Sequence, residues 1–419
     1  MDIIEVNALI KIDTFIMTPS RKLIKYFPFF YVTYTLVTYL SVDAYLPAMP
    51  TIGTQFRVSQ EQIQLTLTLF FLGNLISQLI MGMLSEHYTR RILLLGGGII
   101  FTLSSLSIAL ISSFNLLLVA RFLQGVSLTS MLVTGYSTIH IFYKQDEAVK
   151  LIAWLASITV FAPTIGPIFG AIIMKLVNWE FIFIILAVIS SLSLVGLFYC
   201  MPETKIAQEH TAFKKSILEY WSILRDWNFI KPLGAWAALF AIMIAWNVCG
   251  AFLIIEKMNH SIFFFGLIQA LILSGFVIGS RVLDRLITSN RYTFKSIATS
   301  SGCIILVSSI ISIFCILFSP YILFNVIILL FPINFAFGLS FAVHNRLCIE
   351  SNNKSLTYKV ALSGLGLNVS ALTSSSLVSV LYAHSINLFI YYILALAIIS
   401  VFCSIYRPIK DKNTENVFI

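Results

Sequence analysis

Long apolar stretches recur along this chain, each about twenty residues or more, separated by short polar intervals. At ~1.5 Å of rise per residue, roughly twenty helical apolar residues cross the ~30 Å hydrocarbon layer of a bilayer. Twelve such spans are read, near 27–49, 62–83, 92–112, 115–141, 151–175, 179–200, 232–255, 262–287, 296–318, 321–347, 357–383 and 386–406. The longest polar interval, 203–231, divides them six and six. The expected organisation is an N-terminal tail 1–26, a six-helix bundle 27–202, a linker 203–231, a second bundle 232–406 and a tail 407–419. In the linker, Phe213, Ile217, Tyr220 and Leu224 keep helical spacing opposite Lys214 and Lys215. That pattern fits a short helix on the inner leaflet, and a loose linker is the alternative.

Composition agrees: hydrophobic residues make up 58% of 419 and charged residues 11%, with a mean hydropathy of +0.93. No ordinary soluble core and shell can be built from these, so the chain reads as an all-α, polytopic membrane protein. With twelve spans both termini share one side, and that side holds 23 of the 27 basic residues, which makes it cytoplasmic. Arg57, Lys175 and Lys257 lie on the other side. The net charge of +9 is thereby explained by topology and anionic lipid, and no nucleic-acid module is visible. The six cysteines show no CxxC spacing and read as small core residues, with neither disulfide framework nor metal site. The acidic start of the chain, with its basic cluster only at Arg21, Lys22 and Lys25, runs opposite to a secretory signal.

Two charges interrupt apolar runs, Asp43 in the first span and Arg121 in the fourth. Asp43 falls about 10 Å before a helix end at Pro50 and Arg121 about 9 Å after a start at Asn115, so in antiparallel helices they share a depth. A charge at that depth costs at least about 2.5–3.5 kcal/mol and needs a bundle interior or watery cavity. Either the two form a structural ion pair, or Asp43 is a titrating carboxylate governed by a nearby guanidinium and a cargo. Thr35, Tyr39 and Asp43 recur at i, i+4 and i+8, and Tyr31, Tyr34, Thr35, Thr38, Tyr39, Ser41 and Tyr45 together make the first span too polar to face lipid. Tyr31, Tyr34, Thr35, Thr38 and Tyr39, with Gln124, Asn247 and Asn334, are taken as the cavity candidates. Gln269, Asn345 and Asn368 are further polar positions, while Glu256 and His344 sit near span ends, where solvated or capping roles are expected.

Four blocks carry more specific information. Gly82-Met-Leu-Ser-Glu86-His-Tyr-Thr89-Arg90-Arg91 closes the second span with a tight turn bearing an acid and a basic pair. It resembles the signature loop of the major facilitator superfamily, with Glu86 in place of the usual Asp and Thr89 where a turn glycine is expected. Thr resists positive φ. Arg121-Phe-Leu-Gln124-Gly125 resembles the superfamily's Arg-x-x-Gln-Gly element, which implies a part in proton coupling. Ala162-Pro163-Thr-Ile-Gly166-Pro167-Ile-Phe-Gly170 has two helix-bending prolines and two glycines four apart that leave a flat packing face. The string resembles the element of the superfamily's antiporters that is thought to seal the two halves. Pro202-Glu203-Thr204, with Asp43-Ala-Tyr-Leu-Pro47-Ala-Met-Pro50, narrows the resemblance to the Bcr/CflA-type drug resistance group. In the second half, Gly279-Ser-Arg-Val-Leu-Asp-Arg285 is expected as a weak echo of the Gly82–Arg91 turn, implying two repeats about an axis normal to the membrane.

The resemblance implies a monomeric, twelve-helix major facilitator fold in a bacterial inner membrane. The implied activity is exchange of external protons, through Asp43 and Arg121, for an internal apolar or cationic small molecule. The proton gradient replaces any cofactor, and no nucleotide loop, metal cluster or nucleophile arrangement points to an enzyme. A dedicated exporter of an endogenous metabolite or siderophore is the alternative on the same scaffold. A non-transporting receptor or assembly protein is the other.

Overall fold

The computed structural model describes residues 21–143, 145–202, 213–289, 292–318, 322–354 and 356–405. Most of both expected tails and residues 203–212 of the linker lie outside them, as do the surroundings of Gly82 and the side chain of Glu86. Twelve long helices carry the described chain: α1 Phe27–Asp43, α2 Gln60–His87, α3 Arg90–Leu110, α4 Phe114–Phe142, α5 Gln145–Leu176, α6 Glu180–Cys200, α7 Trp227–Ala251, α8 Ile262–Thr288, α9 Phe294–Phe318, α10 Ile322–Ile349, α11 Leu356–His384 and α12 Ile386–Ser404. Nine of them, among the described residues, are long and apolar enough to cross a membrane unaided.

The first span differs from its expectation. α1 stops at Asp43, followed by a 3₁₀ turn, Leu46–Ala48, and a short helix, Met49–Phe56. Pro47 and Pro50 each lack an amide donor, so an unbroken helix to Pro50 cannot keep its ladder there. The carboxylate therefore sits at the break and not two turns inside a helix. Ser59 opens α2 with a reciprocal cap: its hydroxyl accepts from Gln62 N at 3.3 Å and its amide donates to Gln62 Oε1 at 2.8 Å. The α2–α3 connection is also resolved differently. Thr89 is extended, at φ −66° and ψ 150°, and its hydroxyl accepts from Ile92 N at 3.4 Å. The residue needs no positive φ because it caps α3 instead of turning the chain.

The described chain falls into two compact units. The first is built within Met1–Ala212 and takes in Trp246–Ala270 and Ala371–Ala383; the second comprises Phe213–Ala245, Leu271–Ser370 and His384–Ile419. In the first, Gln64 of α2 donates from Nε2 to the Val248 carbonyl of α7 at 3.2 Å. A side chain on Gly266 of α8 would meet Pro167 O and Ile168 Cα of α5, each at 3.3 Å.

Each unit contains the same helix crossing. A Cβ on Gly73 would lie 2.1 Å from Phe122 O and one on Gly125 1.9 Å from Phe70 O, so α2 and α4 meet backbone to backbone. In the second unit, Gly279 against Phe335 O at 2.1 Å and Gly338 against Phe276 O at 2.0 Å do the same for α8 and α10. In membranes such contacts replace the missing hydrophobic drive between helices. All four glycines follow a Phe by three residues, which makes Gly279 the counterpart of Gly73. The expected echo of the Gly82 turn is thus corrected in register: Gly279 matches Gly73 and not Gly82, and the stretch 279–285 lies inside α8, which continues to Thr288.

In the second unit the linker forms a helix, Phe213–Leu224. Its Ile223 is buried with Phe229, Leu233, Cys348 and Leu362, and Tyr220 packs on Tyr358 with ring centroids 4.8 Å apart. The helix rests on protein, between the start of α7 and the α10–α11 loop.

Candidate functional site

Asp43 is 4% exposed and has neither hydrogen bond nor ion pair among the described residues. Its backbone is covered by the two glycines of α5. A Cβ on Gly166 would come within 2.5 Å of Asp43 Cβ, and one on Gly170 within 2.1 Å of Ala44 O. The flat face read from the Gly-Pro string exists, and what it meets is the acid itself. Pro163 is half-buried and Pro167 buried beside it.

Arg121 is fully buried on α4. Its Nη1 donates to Ser41 O at 3.0 Å and to Gln124 Oε1 at 2.9 Å. Gln124, one turn on, donates from Nε2 to Ser105 Oγ of α3 at 2.8 Å. The two charges do share a depth, since Ser41 is only two residues before Asp43. They do not pair: no ion pair within 4.0 Å joins them, and among the described residues that distance is met by Arg346 and Glu350. The guanidinium lies instead over the Tyr45 ring, 3.8 Å from its centroid, with Phe183 at 5.5 Å and Phe70 at 5.9 Å. Among the described residues, its Nε and Nη2 meet no acceptor in hydrogen-bonding geometry. Tyr45, Phe70 and Phe183 were not among the expected site residues, although Tyr45 stands in the same Asp43-Ala-Tyr block.

The cavity candidates of α1 are packed side chains in this structure. Tyr31, Tyr34, Thr35 and Thr38 are at most 1% exposed, in the packed interior of the bundle and not on an open wall. Thr35 and Thr38 donate to carbonyls of their own helix, and Tyr31 donates to Met131 O of α4. A helical Ser or Thr satisfies itself this way, so hydroxyl content alone does not mark a cavity. Tyr34 packs edge-on against Phe101, and Tyr39 is half-buried. Gln124 is fully buried in the Arg121 network. Asn247, 4% exposed, accepts at Oδ1 from Gln269 Nε2 at 2.8 Å, and Gln269 accepts in turn from Trp246 Nε1. Asn334, 3% exposed, donates to Leu330 O at 2.8 Å.

In the signature loop, Arg91 is 1% exposed and donates to Phe198 O at the end of α6, while Arg90 is half-buried. Glu256 is exposed, as expected of a solvated residue, and Asn345 and Asn368 are half-buried. His344 is not: it is fully buried, with Nε2 3.4 Å from Ser404 Oγ and Nδ1 without a partner. Its distance from the helix end is outweighed by packing between α10 and α12.

A family model described as Major Facilitator Superfamily matches residues 32–357. The chain belongs to the major facilitator superfamily. Among curated members, it is 29% identical over 263 residues to "Multidrug transporter MdfA" of Yersinia pestis, covering 62% of this chain and 64% of that protein. The match thus spans just under two thirds of that relative's length. "Multidrug resistance protein MdtM" of Salmonella typhimurium is 28% identical over 276 residues, 65% of this chain and 67% of its own. The superfamily fold is also found in the solved structure of a D-xylose-proton symporter, with a TM-score of 0.69 at 13% identity over 90% of this chain and 96% of that one. A bacterial homolog of the human lysosomal transporter Spinster, inward-facing and unoccupied, gives 0.67 at 12% identity over 92% and 96%.

Proposed function

We propose that this superfamily member is a secondary active exporter of the bacterial inner membrane, with both termini cytoplasmic. It trades an external proton for an internal apolar or cationic small molecule by alternating access. The relatives named as multidrug transporters support the cargo class, and the Asp43 site supports the coupling. The observation that carries this reading is a buried carboxyl at a helix break, unpartnered among the described residues, with a guanidinium held two residues away. Broken helices are where transporters of this kind place their ion and substrate groups.

The cycle follows from that arrangement. A proton arriving from outside neutralises Asp43, and the neutral site reorients with the helices that carry it. On the inside the proton leaves and cargo binding favours the ionised form, so the two ligands alternate on one group. No cofactor is required, because the proton gradient supplies the free energy, and one chain carries the whole site.

The test is reconstitution of the full chain in proteoliposomes with an imposed pH gradient and two probes, tetraphenylphosphonium and a neutral lipophilic dye. Gradient-driven uphill movement of either probe, with matching proton flux, is the expected result. Movement of neither, with the protein folded, would leave the receptor or dedicated-exporter alternatives in its place.

A further inference from the structure

Arg121 has more bonding capacity than its present position uses. One nitrogen serves Ser41 and Gln124, two meet no acceptor among the described residues, and the flat face of the guanidinium is taken up by Tyr45. Asp43, two residues along the chain from both Ser41 and Tyr45, has no partner of its own among the described residues. A guanidinium and a carboxyl so close, neither satisfied by the other, mark an arrangement with a second available state.

Tyr45 is built to define the first state. Thr66 spends its single hydroxyl proton on Ile63 O at 2.6 Å, so in the 2.9 Å Tyr45–Thr66 contact Tyr45 donates. That bond ties the ring to α2, and Phe183 of α6 braces its edge at 5.9 Å between centroids. The ring is fully buried, so the guanidinium meets a fixed face in a desolvated place, where cation–π attraction is strongest. Among the described residues, the titratable side chains of this cluster are Asp43, Arg121 and Tyr45. The neighbours supplied by α2, α3, α4, α5 and α6, namely Phe70, Ser105, Gln124, Gly166 and Phe183, carry no titratable group.

We propose that Tyr45 is the positioning residue for Arg121: its ring holds the guanidinium on the Ser41 carbonyl while Asp43 carries a proton, and yields it to the carboxylate when the proton leaves. The inference rests on the reading of Asp43 as the coupling group. Tyr45 thereby sets the balance between the protonated and the paired state, although it touches neither proton nor cargo.

The experiment follows the infrared band of the protonated Asp43 carboxyl against pH, using the full chain in lipid vesicles. The band is identified by its loss in Asp43→Asn. Tyr45→Phe keeps the ring and loses the hydroxyl that tethers it to Thr66, so its midpoint should fall by much less than that of the Leu variant. Tyr45→Leu removes the competing face, so Arg121 pairs with the carboxylate more readily and the midpoint should fall by about one pH unit, the size expected of a desolvated cation–π contact. Should the Leu variant not fold, Phe183→Leu trims a more distant ring and should shift the midpoint in the same direction by less. A wild-type midpoint in Tyr45→Leu overturns the inference, as does a shift in Tyr45→Phe as large as that in Leu, or an upward shift in Phe183→Leu. A band that persists in Asp43→Asn removes the Asp43 reading itself, and this inference with it.

Discussion

Gly166 of α5 lies flush against Asp43 of α1, so closely that a Cβ on the glycine would fall 2.5 Å from that of the acid. The Gly-Pro face of α5 and the acid proposed above as the coupling group therefore form one contact. Gly166→Ala should displace Asp43 and slow coupled transport severalfold, while Gly170→Ala, which would strike the Ala44 carbonyl at 2.1 Å, should also lower thermal stability because backbone cannot step aside. Gly96→Ala, with nothing within 4 Å, is the control and should gain up to about 1 kcal/mol from helix propensity. Melting temperature and transport rate of the three variants check this. Wild-type transport by Gly166→Ala would reduce the contact to ordinary packing.

Asp43→Asn should insert and melt like the wild type, because the carboxyl gives up no hydrogen bond or ion pair among the described residues. Uphill export driven by a pH gradient should fall to background. The pair of measurements matters: lost export with an unchanged melting curve assigns a coupling role, whereas full export by the variant removes Asp43 from the mechanism.

Much of this was legible in the sequence, and the failures have identifiable causes. Span positions were readable because about twenty apolar residues in a row have few folded alternatives. Asp43 and Arg121 stood out because charges in such runs are costly. Their separation was not readable, since pairing depends on whether a third group, here the Tyr45 ring, competes for the guanidinium. What the hydroxyls of α1 bond to was not readable, because a Thr facing a cavity and a Thr bonded to its own helix look alike in sequence. Gly279 misled because a glycine at a helix crossing and one near a helix end are the same letter.

The cap at Thr89 gives a local test. Thr89→Val keeps the shape but removes the oxygen that accepts from Ile92 N, and should cost about 1 kcal/mol of stability, whereas Thr89→Gly should cost only a few tenths. Thermal unfolding of the two variants decides it. If the Gly variant proves clearly more stable than wild type, the position is strained as a family turn glycine would suggest, and the capping account fails.

Gln124 offers a test of whether Arg121 must be free to move. In Gln124→Glu the new carboxylate would sit where Oε1 now accepts from Arg121 Nη1 at 2.9 Å, replacing a bond in which only the donor is charged by one in which both partners are. The former Nε2 contact would need a proton from Ser105, whose hydroxyl can turn from its present bond to Phe101 O. Folding stability should therefore be kept or raised. Transport should nevertheless fall at least tenfold, because a guanidinium paired to the introduced carboxylate is no longer available to Asp43. Gln124→Leu should do the reverse to stability, leaving one buried donor hydrogen of Nη1 unsatisfied at a cost of about 1–3 kcal/mol. The comparison separates holding Arg121 from releasing it: a Glu variant that melts higher but transports poorly shows that movement is needed. A Glu variant that transports at the wild-type rate would make Arg121 a fixed strut between α1, α3 and α4.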